Sequence, residues 1–559
     1  MKVMNHFFLK NCNDIYEELL RLLHKLKEKE DAEAVLSWIQ IMADWAWRNH
    51  CGRYADGNIE NIALEIGGNL EKLMNDRNSE GVASNLPKVL NEYRRKVLHI
   101  ATTFYPVGGH PRIISNWIRN DPDSCHSLLL TNLAGYQIPT WLCTAVSKNG
   151  GALITFSSEA SLLSKAWWLR EIVQSSVDLI VLHHHPNDIV PTVAFASKQC
   201  PPVAVLNHAD HVFWLGSSIA DTVVNIRASG KRLAEKRRYA AQSFVLPIPL
   251  DSGPLTVTRG EARQHLNILD GQVMLLSIGS AYKYTPSDTH NFYKTAVKIL
   301  NQNPAAHLYL IGVEWSEDVK YLGEAKHDRL HLLGVIENHY LYRIAADIYL
   351  ESYPFGSLTA LLEAALVGTC PVLALAPTSQ VMASDDLALA DIIGNATSED
   401  SYIEKVESLI RIPDKREQIG NEIKERVIAY HSGQKWNGYL QEVYQYLRDK
   451  PHEPHRIPNS TCLETKDDLS LSGFHLALCG DRPRLLDVGC RAFPNITLKE
   501  IMKLFIVSLK MRDTKVSYTH LYRYWWRELF KLGILRSVRH QYIVSALLRK
   551  IPASQLPHA

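Results

Sequence analysis

Near the start of the chain, apolar residues recur at helical spacing. Ile15, Leu19, Leu22, Leu23 and Leu26 form one stripe, and Ala34, Val35, Trp38, Ile39 and Met42 form a second. This periodicity predicts helices from about Asn13 to Tyr93. The charged segment Asn91-Glu92-Tyr93-Arg94-Arg95-Lys96 then gives way to the short β-rich run Val97-Leu98-His99-Ile100-Ala101, followed by the glycine turn Tyr105-Pro106-Val107-Gly108-Gly109-His110. Up to about Leu250, apolar runs alternate with helix-like stretches: Ser127–Leu130, Leu153–Phe156, Val177–Leu182, Val203–Leu206 and Thr222–Asn225. Strands apolar on both faces and separated by helices predict a parallel sheet covered on both sides.

The pattern then restarts. Gln272–Ile278, Leu308–Ile311, Leu330–Leu333, Ile348–Leu350 and Val372–Leu375 read as strands, with helices over His290–Leu300 and Thr359–Leu366 between them. Past about Asp449 it lapses into Pro451-His452-Glu453-Pro454-His455, which reads as a linker to a distinct tail. The expected organisation is a helical domain over 1–95, two doubly wound α/β domains over 96–250 and 251–450, and a basic, aromatic-rich, mostly helical extension over 451–559. Ligands of such sheets bind beyond the C-terminal strand ends, so two facing sheets create a cleft where donor and acceptor meet.

Composition narrows the class. The 559 residues exceed what one core usually supports, and 46% hydrophobic with 21% charged residues is an ordinary globular balance. A net charge of +2 provides no global field for nucleic acid or membranes. The nine cysteines lack paired CxxC spacing and read as reduced core thiols of a cytoplasmic protein. Met1–Lys10 lacks a signal-peptide core, and no apolar run reaches about 18 residues, so no transmembrane segment is expected.

The richest chemistry falls in the second α/β domain. Gly279-Ser280-Ala281-Tyr282-Lys283-Tyr284-Thr285-Pro286 places Lys283 on the loop after a strand, where an ammonium can meet a departing diphosphate. About 70 residues later, Glu351-Ser352-Tyr353-Pro354-Phe355-Gly356-Ser357-Leu358-Thr359 carries a strand through a glycine turn into a helix. Free N–H groups at that helix start form an anion cradle, with Gly356, Ser357 and the Thr359 hydroxyl beside it. Glu363, four residues after Thr359, shares its face and can accept from a ribose diol.

In this order of motifs the sequence resembles the GT-B glycosyltransferases, and over about Gln272–Leu409 the peptide O-GlcNAc transferases and their bacterial relatives. The matching steps are Tyr282-Lys283-Tyr284-Thr285-Pro286, His339 before Ala346-Asp347, Ser357 to Glu363, and Gly368-Thr369-Cys370-Pro371-Val372. The resemblance implies two Rossmann-like domains across a cleft and a nucleotide-sugar donor, UDP-linked, with no separate cofactor and no metal. It also implies that Lys283 meets the diphosphate, Thr359 adds a hydrogen bond, Glu363 holds the ribose and His339 lies beside the base. The family's histidine and second threonine are replaced by Leu358 and Ala360, and the sugar-contacting acid of retaining members falls at Phe355.

In the first α/β domain, the turn holding Gly108, Gly109 and His110 puts an imidazole at the cleft. Inverting relatives carry a Gly-His there as general base, and an unperturbed pKa of about 6.5 suits that task. Retaining relatives use the same turn to approach the diphosphate; the reading favours inversion through His110. His183-His184-His185 and Asn207-His208-Ala209-Asp210-His211 follow strand ends and are expected to face the cleft, with His208 and Asp210 resembling a donor-sugar contact. Three adjacent histidines cannot converge on one metal.

Leu485-Leu486-Asp487-Val488-Gly489-Cys490-Arg491 imitates a methyltransferase loop, but too little chain follows for a domain. From Ile501 onward Lys and Arg outnumber Asp and Glu, interleaved with Tyr518, Tyr522, Tyr524, Trp525 and Trp526, a composition suited to an anionic surface or to helix packing. The expected acceptor is a protein hydroxyl, a glycan or another group. A catalytically silent GT-B subunit or glycan-binding partner, and a sugar-nucleotide epimerase, are the alternatives.

Overall fold

The computed structural model describes residues 2–29, 31–75, 94–104, 109–132, 137–286, 290–315, 326–336, 338–375, 380–382, 384–389 and 392–479, with 485, 503, 504, 506 and 507 beyond. Four helices come first: α1 (Lys2–Lys27), α2 (Ala32–Arg48), α3 (Gly57–Gly68) and α4 (Leu70–Asn75). Asp31 and Asp56 cap α2 and α3 by accepting from the Ala34 and Asn58 N–H groups. The apolar stripes meet, and two buried tryptophans satisfy their indoles on α1 carbonyls: Trp38 on Leu19 at 3.2 Å and Trp45 on Cys12 at 3.0 Å.

The first α/β domain alternates β1 (Arg95–Ala101), α5 (His110–Asn120), β2 (Ser124–Leu130), α6 (Thr140–Asn149), β3 (Leu153–Thr155), α7 (Leu162–Ser176), β4 (Leu179–His183), α8 (Val190–Ala194), β5 (Val203–Asn207), β6 (Thr222–Asn225), α9 (Ala228–Arg237) and β7 (Ser243–Val245). All pairings are parallel, in the order β3-β2-β1-β4-β5-β6-β7. The chain reverses its direction of sheet growth between β1 and β4, which opens a crevice at their C-terminal ends.

The second domain repeats the logic with α10 (Arg259–His265), β8 (Val273–Ile278), α11 (Phe292–Gln302), β9 (Ala306–Ile311), β10 (Leu330–Leu332), α12 (Tyr340–Ala345), β11 (Ile348–Leu350), α13 (Leu358–Leu366) and β12 (Cys370–Val372). Its parallel order is β10-β9-β8-β11-β12, so its crevice lies between β8 and β11. Helices α14 (Glu399–Arg411), α15 (Pro413–His431), α16 (Gly433–Arg448) and α17 (Lys466–Cys479) follow. The α15–α16 pair returns to the first domain: Trp436 donates to the Pro247 carbonyl at 2.7 Å, and His431 bonds the Ile248 carbonyl.

Two expectations change. The short strand β7, with only three residues, was too brief to stand out, and β12 precedes the expected Val372–Leu375 run. Residues 451–465 are not a free linker. His452 is buried between the Asp221 carboxylate (2.6 Å) and the Phe195 carbonyl (2.7 Å), and Ile457, Ser460 and Leu463 bond Asn61, Asp56 and Gly52. These contacts deliver α17 onto α1. Almost all of the basic tail lies outside the described residues, as does most of the methyltransferase-like segment. Among the described residues no helix is long and apolar enough to cross a membrane.

Candidate functional site

The two crevices face each other. From the second domain, the loop after β8 brings Lys283 and the loop after β11 brings Gly356, Ser357 and Thr359. The Lys283 ammonium donates to the Gly356 carbonyl at 3.1 Å and lies 5.3 Å from the centre of the Phe355 ring. Burial lowers it to about 8, although the Glu351 carboxylate pulls the other way. Ser357 starts α13 without a side-chain cap; its hydroxyl bonds Ser352 at 2.8 Å instead, so the first N–H groups of α13 keep their donors free of any capping side chain. Glu351 is buried, accepts from the Ala374 N–H at 2.8 Å and from Ser384, and is raised by burial. A Cβ on Gly356 would fall 2.6 Å from its oxygen, which explains the glycine.

Glu363 sits on α13 as its spacing from Thr359 predicts, but its carboxylate is occupied. It accepts from Arg112 at 3.0 and 3.1 Å and from Arg343 at 2.6 Å. Arg112 comes from α5, so this ion pair crosses between domains. His339 stands at the start of α12 with its Nδ1 buried and unpartnered; burial and then Arg343 lower it to about 4. A cavity of about 520 Å³ opens here, lined among others by Arg112, Arg119, Tyr340, Arg343, Glu363 and Lys424.

From the first domain, Gly109 and His110 open α5 after β1. A Cβ on Gly109 would lie 3.3 Å from the Thr359 hydroxyl of α13, so the two turns nearly touch. The His110 ring stacks on His208 at 4.3 Å between centroids, its Nε2 is buried without a partner, and burial with the neighbouring His208 holds it well below the usual imidazole value. His208 is itself lowered to about 4, first by burial and then by His185. Asp210 spends both oxygens on Arg227, at 2.6 and 2.9 Å, and Arg227 also reaches the Val381 carbonyl of the second domain. Ser229, in the first turn of α9, likewise bonds Asp385 through N–H and hydroxyl, both at 2.8 Å. Gly108 lies outside the described residues.

The three consecutive histidines do not face the cleft together. His183 ends β4 with its ring among the sheet's buried side chains. His184 bonds the Leu215 carbonyl at 2.6 Å, and the His185 ring leans toward Trp47 of α2. Alternation along an extended strand end sends successive side chains to opposite faces, so adjacency in sequence is divergence in space.

Sequence reasoning passed over Arg112, Arg227, Arg343 and Glu351. It also missed the cover on Phe355, which packs with Val381, Met382 and, from α17, Leu471 and Phe474, the two phenylalanine rings 5.3 Å apart. Arg112, two residues after His110 on the same helix, offered a signal; α17 offered none.

No protein-family model matches the chain, and no curated protein matches it. Solved structures do. A glycosyltransferase from Rickettsia africae is 12% identical, matched over 64% of this chain and 100% of its own, with a TM-score of 0.50. An O-GlcNAc transferase mutant of Thermobaculum terrenum is 14% identical over 79% of this chain and 82% of its own, with a TM-score of 0.47. HepE of Anabaena, in complex with UDP and glucose, is 12% identical over 63% and 99%, with a TM-score of 0.48. The fold is that of the GT-B glycosyltransferases: α/β, two Rossmann-like domains across a cleft.

Proposed function

We propose that this protein is a glycosyltransferase that moves a hexosyl or N-acetylhexosaminyl group from a UDP-sugar to a hydroxyl of a protein or glycan, without a metal or separate cofactor. One observation carries the reading. The turns beyond the two sheet switch points meet across the cleft, with His110 on one side and Lys283 and the uncapped start of α13 on the other, Gly109 and Thr359 nearly in contact. His110 takes the acceptor's proton, the acceptor oxygen attacks the anomeric carbon, and the leaving diphosphate gathers its charge against Lys283, Thr359 and the α13 N–H groups. Glu363 and His339 take the nucleoside end, Gly356 and Ser357 shape the turn, and His208 and Asp210 lie on the sugar side. The basic tail is proposed to contact an anionic acceptor or surface.

A second reading, a silent subunit that binds the nucleotide only, is favoured by the packing of Phe474 against Phe355, which is where the family resemblance puts an acid. Melting of the full chain with UDP, UDP-glucose and UDP-N-acetylglucosamine, followed by assay of donor hydrolysis, tests both. A ligand held by the folded state alone raises the melting temperature by mass action. Stabilisation with turnover supports the transferase, stabilisation without turnover the silent subunit, and no stabilisation by any of the three overturns both.

A further inference from the structure

Three histidines occupy positions in the first sheet where neighbouring strands carry Val and Leu. His126 lies on β2, His99 on β1 and His183 on β4. The register pairs His99 with Leu128 and Val181, so His126 and His183 share its face, displaced by two residues in opposite directions. The three rings form a diagonal that climbs from the base of the sheet to the crevice. All are fully buried and hydrogen-bonded in series: His126 Nδ1 to His99 Nε2 at 2.9 Å, and His99 Nδ1 to His183 Nε2 at 2.9 Å.

With His126 neutral, the lower end sets the direction of every bond. His126 Nε2 meets two acceptors, the Asp121 carbonyl at 3.2 Å and the Asp121 carboxylate at 3.1 Å, so this nitrogen carries a hydrogen. Burial alone would raise the Asp121 carboxyl, but hydrogen bonds from His126 and from the Tyr444 hydroxyl (2.8 Å) hold it below the usual value, as an anion. A neutral imidazole has one N–H and one bare nitrogen. His126 Nδ1 is therefore bare and accepts from His99 Nε2–H, and His99 Nδ1 accepts in turn from His183 Nε2–H. The last bare nitrogen is His183 Nδ1, buried and unpartnered, on a ring 5.6 Å between centroids from His110, whose own Nε2 is buried and unpartnered.

We propose that Asp121, His126, His99 and His183 form a buried proton relay that receives the proton His110 takes from the acceptor. The inference rests on the reading of His110 as the base. As the acceptor O–H breaks, its proton bonds to His110, and the oxygen's electron pair forms the new glycosidic bond while UDP leaves with the old one. His110 then gives a proton to His183 Nδ1, directly or through one water. The His183 Nε2 proton passes to His99 Nδ1, and the His99 Nε2 proton to His126 Nδ1. His110 is neutral again, His99 and His183 have exchanged tautomers, and the charge rests as a His126 imidazolium beside the Asp121 carboxylate. His183, His99 and His126 are positioning residues that act through His110. His126 meets His99 and Asp121, and Asp121 is held in turn by Tyr444 under the Arg95 guanidinium; the His110 ring meets those of His183 and His208, and the nearby His184 and His185 lower it further. Burial holds His99 and His183 well below the usual imidazole value, so at rest these two rings are uncharged.

Nitrogen NMR of the full chain labelled at histidine tests the relay whatever the enzyme's turnover. At neutral pH all three histidines are expected as Nε2–H tautomers. When the row takes up a proton, His99 and His183 should flip together to Nδ1–H. An Nδ1–H form of any of them at neutral pH, or flips at separate pH values, overturns the proposal. Hydrolysis of UDP-glucose and UDP-N-acetylglucosamine, with water as acceptor, provides the second arm. His99→Gln keeps one donor and one acceptor but cannot pass a proton; it is expected to lose about tenfold or more in kcat at unchanged KM and melting temperature, and to lose the multi-proton solvent isotope effect. Wild-type kcat in His99→Gln sinks the relay while leaving the base intact, whereas wild-type kcat in His110→Ala sinks the base reading itself.

Discussion

The two halves of the cleft are built from opposite electrostatics. The share of the cleft that the second domain contributes carries charges: Lys283 lies near Glu351, and Glu363 is held between its own domain's Arg343 and Arg112 of the first domain. On the acceptor side the rings of His110, His208, His183 and His99 stack or bond to one another, and burial keeps all four below the usual imidazole value. Under the proposed function, a diphosphate would bring charge for Lys283 to balance, and a base would have to arrive neutral, as a desolvated imidazole does.

The largest expected effect is at His110. His110→Ala should cut turnover by roughly 100- to 10,000-fold with UDP affinity little changed. The acidic limb of the wild-type rate profile should lie below the ordinary imidazole value and vanish in the variant. A parallel loss of UDP affinity would move His110 to the donor half and erase the contrast. Inversion at the anomeric carbon, read by proton NMR before mutarotation, is the companion check, because retention needs no acceptor-side base.

Next comes Lys283→Ala, expected to lower turnover by about a hundredfold or more with the fold intact, since a preorganised charge contact is lost. Its ammonium is charged below and neutral above about 8, so kcat/KM should fall as pH rises through that value, and the basic limb should move upward in Lys283→Arg. A profile flat through pH 9 would deny the lysine its role.

Smaller effects are expected at the interdomain ion pair. Glu363→Ala should weaken UDP binding by about tenfold while kcat changes little, as for a group that binds ground and transition states alike. Three of the roughly four acceptor sites of this carboxylate are taken. Arg112, about a third exposed, makes a pair worth about 1 kcal/mol or less. Arg112→Gln should therefore leave UDP binding within about fivefold of wild type and on the tighter side, by freeing the carboxylate for the ribose; isothermal titration decides. Weaker binding would mean that Arg112 itself holds the nucleotide.

Much of this molecule follows from local pattern. Val97–Ala101 and the apolar runs after it need only their own composition to become buried parallel strands, and the glycine turns before His110 and Thr359 place both residues at strand-to-helix junctions. Those signals are local because backbone sterics and side-chain burial act over a few residues.

Partnership required the tertiary structure. Nothing near Glu363 in sequence announces Arg112, 251 residues away, and nothing in Pro451–His455 marks it as chain pinned along the first domain. Nor does the sequence tell that Phe474 covers Phe355, or that His99, His126 and His183, spread over three strands, form one hydrogen-bonded row. The residue types, the turn chemistry and the alternation of strands and helices were written locally. Which charges are neutralised and which imidazoles are bare depends on strand order and register, and these are settled only when distant segments compete for the same buried surface.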